Sequence, residues 1–485
     1  MWKKADLKSD VKFKPYQKRA IDKLLDQNNL VAAHGTGTGK TVTGVGGFEK
    51  LREQGKANKA LALTPASLRD NFAQQGVDKF TDSNHQVVRS SKDEIDPNAD
   101  YLVTSHSLFA KDPDKFTQDR DTLIVDEAHN ARNRSTQLAQ ALEEASKDFD
   151  NRLMLTASPI NNSPGDLAAL LNVAKGESQY GQSTIDKENI KQKTKKFGPL
   201  SFLGLGREEP VGEEFKPNRQ LKQDLEKYFD YEEGKDNLPD VNEKVEKIPM
   251  TGDQLKAYRY AYNEMPKAVQ MAVKRDIVPE KQDNRNFFSS LMNARIASNN
   301  PGGLLEDYQQ GDPSISAKAQ ALKQELNKEA SNMLYSNYNK HGAEIIANAL
   351  EEANIEHSKI QGGMKDSDKT KEVEDFKKGK TDAFVTTPTG KEGISLPNVK
   401  KEVIFDPNWN PEVTNQAKGR GVRADSIADQ VDIKNYIAVE PEKKDLFGII
   451  PRNRNQSVEE WIYSTAKKKE KLRDQVFKHM GGNNQ

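Results

Sequence analysis

Residues 30–41, LVAAHGTGTGKT, constrain this chain more than any other stretch. An apolar run, Leu30-Val31-Ala32-Ala33, passes into a turn carrying Gly35, Gly37 and Gly39, then Lys40-Thr41, then residues of helical composition. Glycine admits positive φ, so such a turn can bring successive main-chain N–H groups close to one anion. The helix that follows points its positive end at the same place. In a loop of this kind Lys40 would reach the β- and γ-phosphates of a nucleotide, and the Thr41 hydroxyl would ligate Mg²⁺. The strict pattern asks for glycine where His34 stands, so the match fails by one residue.

The first part of the chain repeats this strand-to-helix rhythm. Ala60–Leu63, Tyr101–Val103, Thr122–Val125 and Leu153–Leu155 are short apolar runs separated by longer charged segments. Such alternation predicts βαβ units and a parallel sheet, with a mixed α+β domain as the other reading. Residues 176–216, rich in Gly, Lys, Glu and Ser around the apolar island FGPLSFLGLG, read as a helical excursion with long loops. A strand-like run starts near Leu238, helices are expected from Gln254 to about Asn299, and Pro301-Gly302-Gly303 marks a loop. A second alternating half runs from Ser316 to about Val439, with strands expected at 332–335, 383–386, 402–405 and 431–433. The expected organisation is α/β, with parallel-sheet lobes at 1–175 and 316–440, a mostly helical region at 176–315 and a helical tail at 441–485.

Composition bounds the chemistry. The 74 Lys and Arg equal the 74 Asp and Glu, so a nucleic acid would be held by a local basic groove and not by overall charge. The absence of cysteine excludes disulfides, thiolate-held zinc, iron–sulfur clusters and a thiol nucleophile, and fits a reducing compartment. The N-terminal lysines precede no apolar run, and no stretch approaches a membrane span, so a cytoplasmic protein without a membrane partner is expected.

A second constellation complements the loop. DTLIVDEAHN (121–130) reads as a buried strand that delivers Asp126 and Glu127 at its carboxyl end, the edge where open α/β sheets bind ligands. There Asp126 would hold the Mg²⁺ and Glu127 would polarise an attacking water. Alone, Asp-Glu after a strand is equally a solvated turn or a helix start; its pairing with the Lys40 loop favours the site. His129 would couple the nucleotide site to LMLTASPINN (153–162), whose Thr156 and Ser158 hydroxyls would bond the Asp126–His129 loop. Taken alone, that segment is a helix cap followed by proline.

GTGKT, DEAH and TASP, in this order, resemble the superfamily-two helicases and translocases. TPTGKEGISLPN (387–398) and QAKGRGVR (416–423) resemble that superfamily's fifth and sixth motifs, the latter as Q-x-x-G-R-x-x-R. FDPNWNPEVTNQAKGRGVR (405–423), LTASPINNSPGDL, LPDVNEKVEKIPMTGDQLKAYRYAY and LMNARIASNNP are most similar to the Swi/Snf-type chromatin-remodeller ATPases, a likeness that covers about residues 13–440.

The resemblance implies two RecA-like lobes with ATP in the cleft between them. It implies cofactor contacts from Gln17, Gly35, Gly37, Thr38, Gly39, Lys40, Thr41, Gly393 and Gln416, with Gln17 reading the adenine edge. Lys40, Asp126, Glu127, Arg420 and Arg423 would be catalytic, the two arginines as fingers, and Thr41 and Asp126 would hold Mg²⁺. Thr64, Ser67, Thr156, Thr387 and Trp409 would meet nucleic acid, with SNY (336–338) and QGG (361–363) nearby; Trp409 is equally a core residue. The implied activity is ATP-driven movement of a monomer along duplex DNA. A strand-separating helicase on DNA or RNA is the second reading, since no obvious wedge hairpin is seen, and a non-catalytic binding component is the third. His34, His106 in LVTSHSL and Ala424-Asp425-Ser426 depart from the family pattern. No bromodomain, chromodomain or finger signature accompanies the motifs, so a compact bacterial or phage-type translocase fits better than a chromatin remodeller.

Overall fold

The structure, a computed structural model, describes residues 6–197, 207–234, 238–277, 284–302, 304, 309, 311–326, 331–388, 394–423, 425–444, 451–452 and 455–481. The chain divides into two units, Met1–Gly234 with Lys468–Gln485, and Lys235–Lys467.

The first unit is built on β1 (Asn29–His34), β2 (Ala60–Thr64), β3 (His85–Val87), β4 (Tyr101–Ser105), β5 (Thr122–Val125) and β6 (Asn151–Thr156). A separate antiparallel ribbon follows, β7 (Ile190–Phe197) with β8 (Arg207–Phe215), and then β9 (Phe229–Glu232) returns to the sheet. The sheet order is β3-β4-β2-β5-β6-β1-β9, with every pairing parallel. Parallel sheets are covered on both faces, so their strands read as unbroken apolar runs. Val31, Ala33, Leu61 and Leu63 enter one core, and Leu30, Ala32, Ala60 and Ala62 enter the other. The helix Lys40–Glu53 lies close against this layer: a side chain at Gly44 or Gly47 would run into Leu155 or Leu24.

The second unit repeats the plan with β10 (Asp240–Pro249), β11 (Asn332–Tyr335), β12 (His357–Ile360), β13 (Ala383–Thr386), β14 (Lys401–Ile404) and β15 (Gln430–Val439). Their order is β10-β15-β14-β11-β13-β12, again parallel throughout. Leu334, Val385 and Val403 fill one face, and Met333, Phe384 and Ile404 the other. Among the described residues no helix is long and apolar enough to cross a membrane.

Three expectations change. Residues 176–216 are not purely helical with loops: after the helix Gln182–Asn189 comes the β7–β8 ribbon, in which Lys191 stands opposite Glu214 and Lys193 pairs with Glu214 at 3.1 Å. Opposite charges across two strands stabilise a ribbon, and a Lys- and Glu-rich composition conceals it. Most of the FGPLSFLGLG island lies outside the described residues. The ribbon is also a hairpin-like element where none was expected.

Residues 176–315 do not form one bridging region either, since β9 completes the first sheet while β10 and the helices from Gly252 to Asn299 belong to the second unit. The tail is likewise divided. From Lys468 onward it belongs to the first unit, where Leu472, Val476 and Met480 enter the core and Phe477 stacks on Tyr231 at 4.3 Å. Leu472→Ala is therefore expected to cost about 2–4 kcal/mol in denaturant unfolding, whereas a residue on a solvated appendage would cost about 0.5 kcal/mol or less.

Candidate functional site

Parallel pairing puts the carboxyl ends of β1, β2, β4, β5 and β6 on one edge of the first sheet. At the end of β1 the chain turns through Gly37 at φ +80° and Gly39 at φ +76° into the helix that begins at Lys40. Both angles lie in the left-handed region that glycine adopts without strain. Gly37 is exposed, and a β-carbon there would meet nothing within 4 Å. The turn thus presents bare main chain to an open space, as a phosphate cradle requires. Lys40 Nζ donates to the Gly35 carbonyl at 3.3 Å, which holds the ammonium over the loop. Thr38 turns inward and donates to the same carbonyl at 2.7 Å. Thr41 sits in the first helical turn, where amides lack intrahelical acceptors.

Gln17 departs from its expected role. It is 5% exposed; its Oε1 accepts from Lys14 N at 2.9 Å, and its Nε2 donates to Thr38 O at 2.8 Å. Both ends of the amide are engaged within the protein, so here Gln17 braces the loop and does not offer an edge to a base. The Tyr16 hydroxyl donates to Thr38 O as well, at 3.2 Å.

At the end of β5, Asp126 is 7% exposed and fixed by its amide, which donates to Leu63 O at 2.8 Å. Burial pushes its carboxyl up to about 6, with the Glu127 charge adding and Lys40 opposing. Burial also raises Glu127, but His129 and Lys40 outweigh it and leave this carboxyl below the usual range. Lys40, Asp126 and Glu127 are therefore near enough to perturb one another. Environments that separate two neighbouring carboxyls give them different roles. Glu127 holds φ +49°, a conformation uncommon for a residue with a side chain, and His129 Nδ1 stands 3.0 Å from its Oε2. His106 follows β4; burial lowers its imidazole to about 4, so it is a neutral neighbour of the two carboxyls.

The link from this loop to the end of β6 runs differently from the expected hydroxyl bonds. Arg132 donates to Ser158 O at 2.8 Å, while the Thr156 hydroxyl accepts from Ser158 N at 3.1 Å. Thr156 and Thr64 are fully buried, and Thr387 is 3% exposed in the second unit, so these three side chains do not form a nucleic-acid surface. Ser67 is exposed.

In the second unit, Arg420 is 9% exposed and donates to the Thr386 hydroxyl at 2.7 Å. Its guanidinium thus reaches the end of β13 within its own unit. Arg423 is only half-buried, its Nε donating to Gly419 O at 2.7 Å, and Gln416 is exposed. Gly393 lies outside the described residues. Trp409 packs against Phe288 at 3.6 Å between ring centres, with the Arg295 guanidinium 5.5 Å from its ring, so it is largely a packing residue. Within SNY, Ser336 is buried, and Asn337 donates to Asp406 Oδ1 at 2.7 Å.

Sequence reasoning missed the residues behind the loop. His34 is fully buried, and its Nε2 lies 2.7 Å from Asp230 Oδ1 on the neighbouring β9. Arg19 binds the same carboxylate through two nitrogens, at 2.7 and 3.0 Å. Only the mismatch at His34 hinted at this arrangement.

Two family models match the chain: the SNF2-related domain over residues 16–303, more than half its length, and the helicase conserved C-terminal domain over 317–425. The chain is 23% identical to the "Putative ATP-dependent RNA helicase L538" of Acanthamoeba polyphaga mimivirus, over 95% of this chain and 94% of that protein. It is also 23% identical to the ISWI chromatin-remodeling complex ATPase ISW2 of Saccharomyces cerevisiae, over 85% of this chain but 38% of the yeast protein. The Sulfolobus solfataricus SWI2/SNF2 ATPase core, solved in complex with dsDNA, is 18% identical, with 90% of each chain covered and a TM-score of 0.39.

The opposed environments of the two carboxyls separate binding from chemistry. Glu127→Gln should retain nucleotide affinity but lower single-turnover hydrolysis by at least about 10²-fold, whereas Lys40→Ala should weaken both. Wild-type single-turnover rates in Glu127→Gln would remove Glu127 as the base.

Proposed function

We propose that this chain, which belongs to the SNF2-related family of helicase-like ATPases, moves along duplex DNA on the energy of ATP hydrolysis. The carrying observation is the convergence of Lys40, Asp126 and Glu127 on the glycine loop at one sheet edge of a family-matched scaffold. Hydrolase activity belongs to the family; the duplex track and the movement are our reading, which the family match and the likeness to the remodeller ATPases support.

The residues fit ATP with Mg²⁺. Magnesium keeps waters and takes phosphate oxygens beside one or two protein oxygen groups. Thr41 and Asp126 would be those groups, and bound Mg²⁺ neutralises phosphate charge. The loop amides and Lys40 bind and orient the phosphates. Glu127, held ionised and in place beside His129, accepts the proton of the attacking water. By the family resemblance, Arg423 would supply a planar cation to the charge that develops on the transferred phosphoryl group.

The β7–β8 ribbon, together with the likeness to the mimivirus protein described as a putative RNA helicase, favours a second reading, a strand-separating helicase. Hydrolysis measured with duplex DNA, single-stranded DNA and RNA side by side discriminates between the two. The translocase should be stimulated most by duplex, displace a triplex-forming strand and leave a forked duplex intact. Its DNA affinity should fall steeply with salt and vary little with sequence, because phosphates supply the contacts. Unwinding of the fork, or stimulation by RNA alone, would promote the helicase.

The arginines separate in the same assay. Arg423→Ala should lower kcat by about 10²-fold or more with stability kept, while Arg420→Ala should lower the melting temperature, because its bond to Thr386 lies inside the second unit. Unchanged kcat in Arg423→Ala would remove it from the reaction.

A further inference from the structure

We propose that Arg19, Asp230 and His34 form a buried clamp that sets the position of the phosphate loop, so that all three are positioning residues for nucleotide binding. The inference rests on reading Gly35–Thr41 as the phosphate cradle.

Each member comes from a different element. Arg19 lies on the helix Pro15–Gln27, Asp230 on β9, and His34 is the last residue of β1, one position before the loop starts. Asp230 is fully buried and sits at the centre of the group. Burial alone would raise its carboxyl, but hydrogen bonds from His34 and Arg19 outweigh that and hold it below the usual carboxylate range. An ionised carboxylate only accepts, so His34 Nε2 carries the proton and donates to Oδ1 at 2.7 Å. Arg19 donates from Nε to Oδ2 at 2.7 Å and from Nη2 to Oδ1 at 3.0 Å, a two-point grip that fixes direction as well as distance. The same Nη2 donates to Tyr231 O at 3.0 Å and to Glu232 Oε2 at 3.3 Å. The clamp then continues into the loop, where Gly35 N donates to Glu232 O at 2.8 Å. A side chain at Gly35 would run into the Glu233 carbonyl, so the loop begins in direct contact with the chain that leaves β9.

A merely structural ion pair does not account for this placement. Replacing a buried charged group with apolar packing is often neutral or stabilising. Here the charges stand beside the one loop whose main chain must meet phosphate, at the position where the general pattern carries glycine. His34 also keeps its Nδ1 buried without a hydrogen-bond partner among the described residues, a cost an apolar side chain would avoid. Tyr16 sets its ring edge-on to the imidazole at 5.8 Å and bonds the far side of the loop at Thr38 O, so the clamp and the Gln17 brace grip both ends of one turn.

The test is equilibrium binding of a fluorescent ATP analogue, and of ADP, to the full chain, with thermal unfolding followed in parallel. His34→Ala should weaken both nucleotides about tenfold or more, with the loss falling on KM more than on kcat; the melting temperature should fall too, because the buried Asp230 carboxylate loses a donor, so affinities are compared at a temperature where the variant is folded. His34→Gln, whose amide nitrogen can reach towards Asp230, should recover most of the affinity. Arg19 is a third exposed, so Arg19→Met should fold and should weaken binding in the same direction. Wild-type affinity in a folded His34→Ala or Arg19→Met, or a His34→Gln as weak as His34→Ala, overturns the clamp. Wild-type protein that binds no ATP overturns the phosphate-cradle reading itself, independently of the clamp.

Discussion

Parallel pairing around β1 is the constraint on which the first unit depends. Hydrogen bonding sets β1 between β6 and β9, with Ala33 opposite Thr156 on one side and His34 opposite Glu232 on the other. One strand further, β5 pairs with β6, so Asp126 leaves the sheet two strands from the loop. No side chain directs this convergence. It follows from seven strands running the same way and ending on the same edge, the edge at which open α/β sheets bind ligands. Reversing one strand would carry its acidic pair to the opposite end of the molecule.

Once the groups converge, burial differentiates them. Asp126 and Glu127 are adjacent and chemically alike, yet they shift in opposite directions. Asp126 lies deeper, and its neighbour's charge adds to the desolvation. Glu127 turns out through its left-handed backbone conformation towards His129 and Lys40, which favour the ionised form. The backbone outlier therefore has an electrostatic consequence, since it sends two successive carboxyls into different surroundings.

The strands that were legible in the sequence are the apolar ones. Leu30–Ala33, Thr122–Val125 and Asn332–Tyr335 are buried on both faces, and that burial is what their composition records. The illegible strands are the polar ones. β9 reads Phe-Asp-Tyr-Glu, because two of its four side chains serve the clamp and its neighbourhood rather than the core. β7 and β8 hold together through charge across strands, a pairing no single-strand pattern contains. The loop and the acidic pair were readable because their chemistry needs fixed residue types at fixed spacing. The burial of Thr64, Thr156, Thr387 and Arg420 was not, because a hydroxyl or guanidinium at a strand end can turn in or out without any change in the motif. Gln17 shows the same ambiguity, since its amide can read a base edge or hold a loop.

Both units answer a shared problem in the same way. A loop at a sheet edge must be rigid, yet it has no core beneath it. In the first unit a buried carboxylate, Asp230, takes hydrogen bonds from two elements and ties the loop to the sheet. In the second, Asp406 is 1% exposed at the end of β14 and accepts from the Asn337 amide at 3.1 Å and from Asn299 Nδ2 at 3.3 Å. A carboxylate suits this task because it offers several acceptor sites in one plane, and once desolvated it is costly to leave unpaired. The cost of burying the charge enforces the geometry. Each partner that moves away leaves a desolvated acceptor unmet, so the arrangement resists small displacements more sharply than apolar packing of the same volume would. Segments at the carboxyl edges of both sheets are thereby held by buried charges of their own.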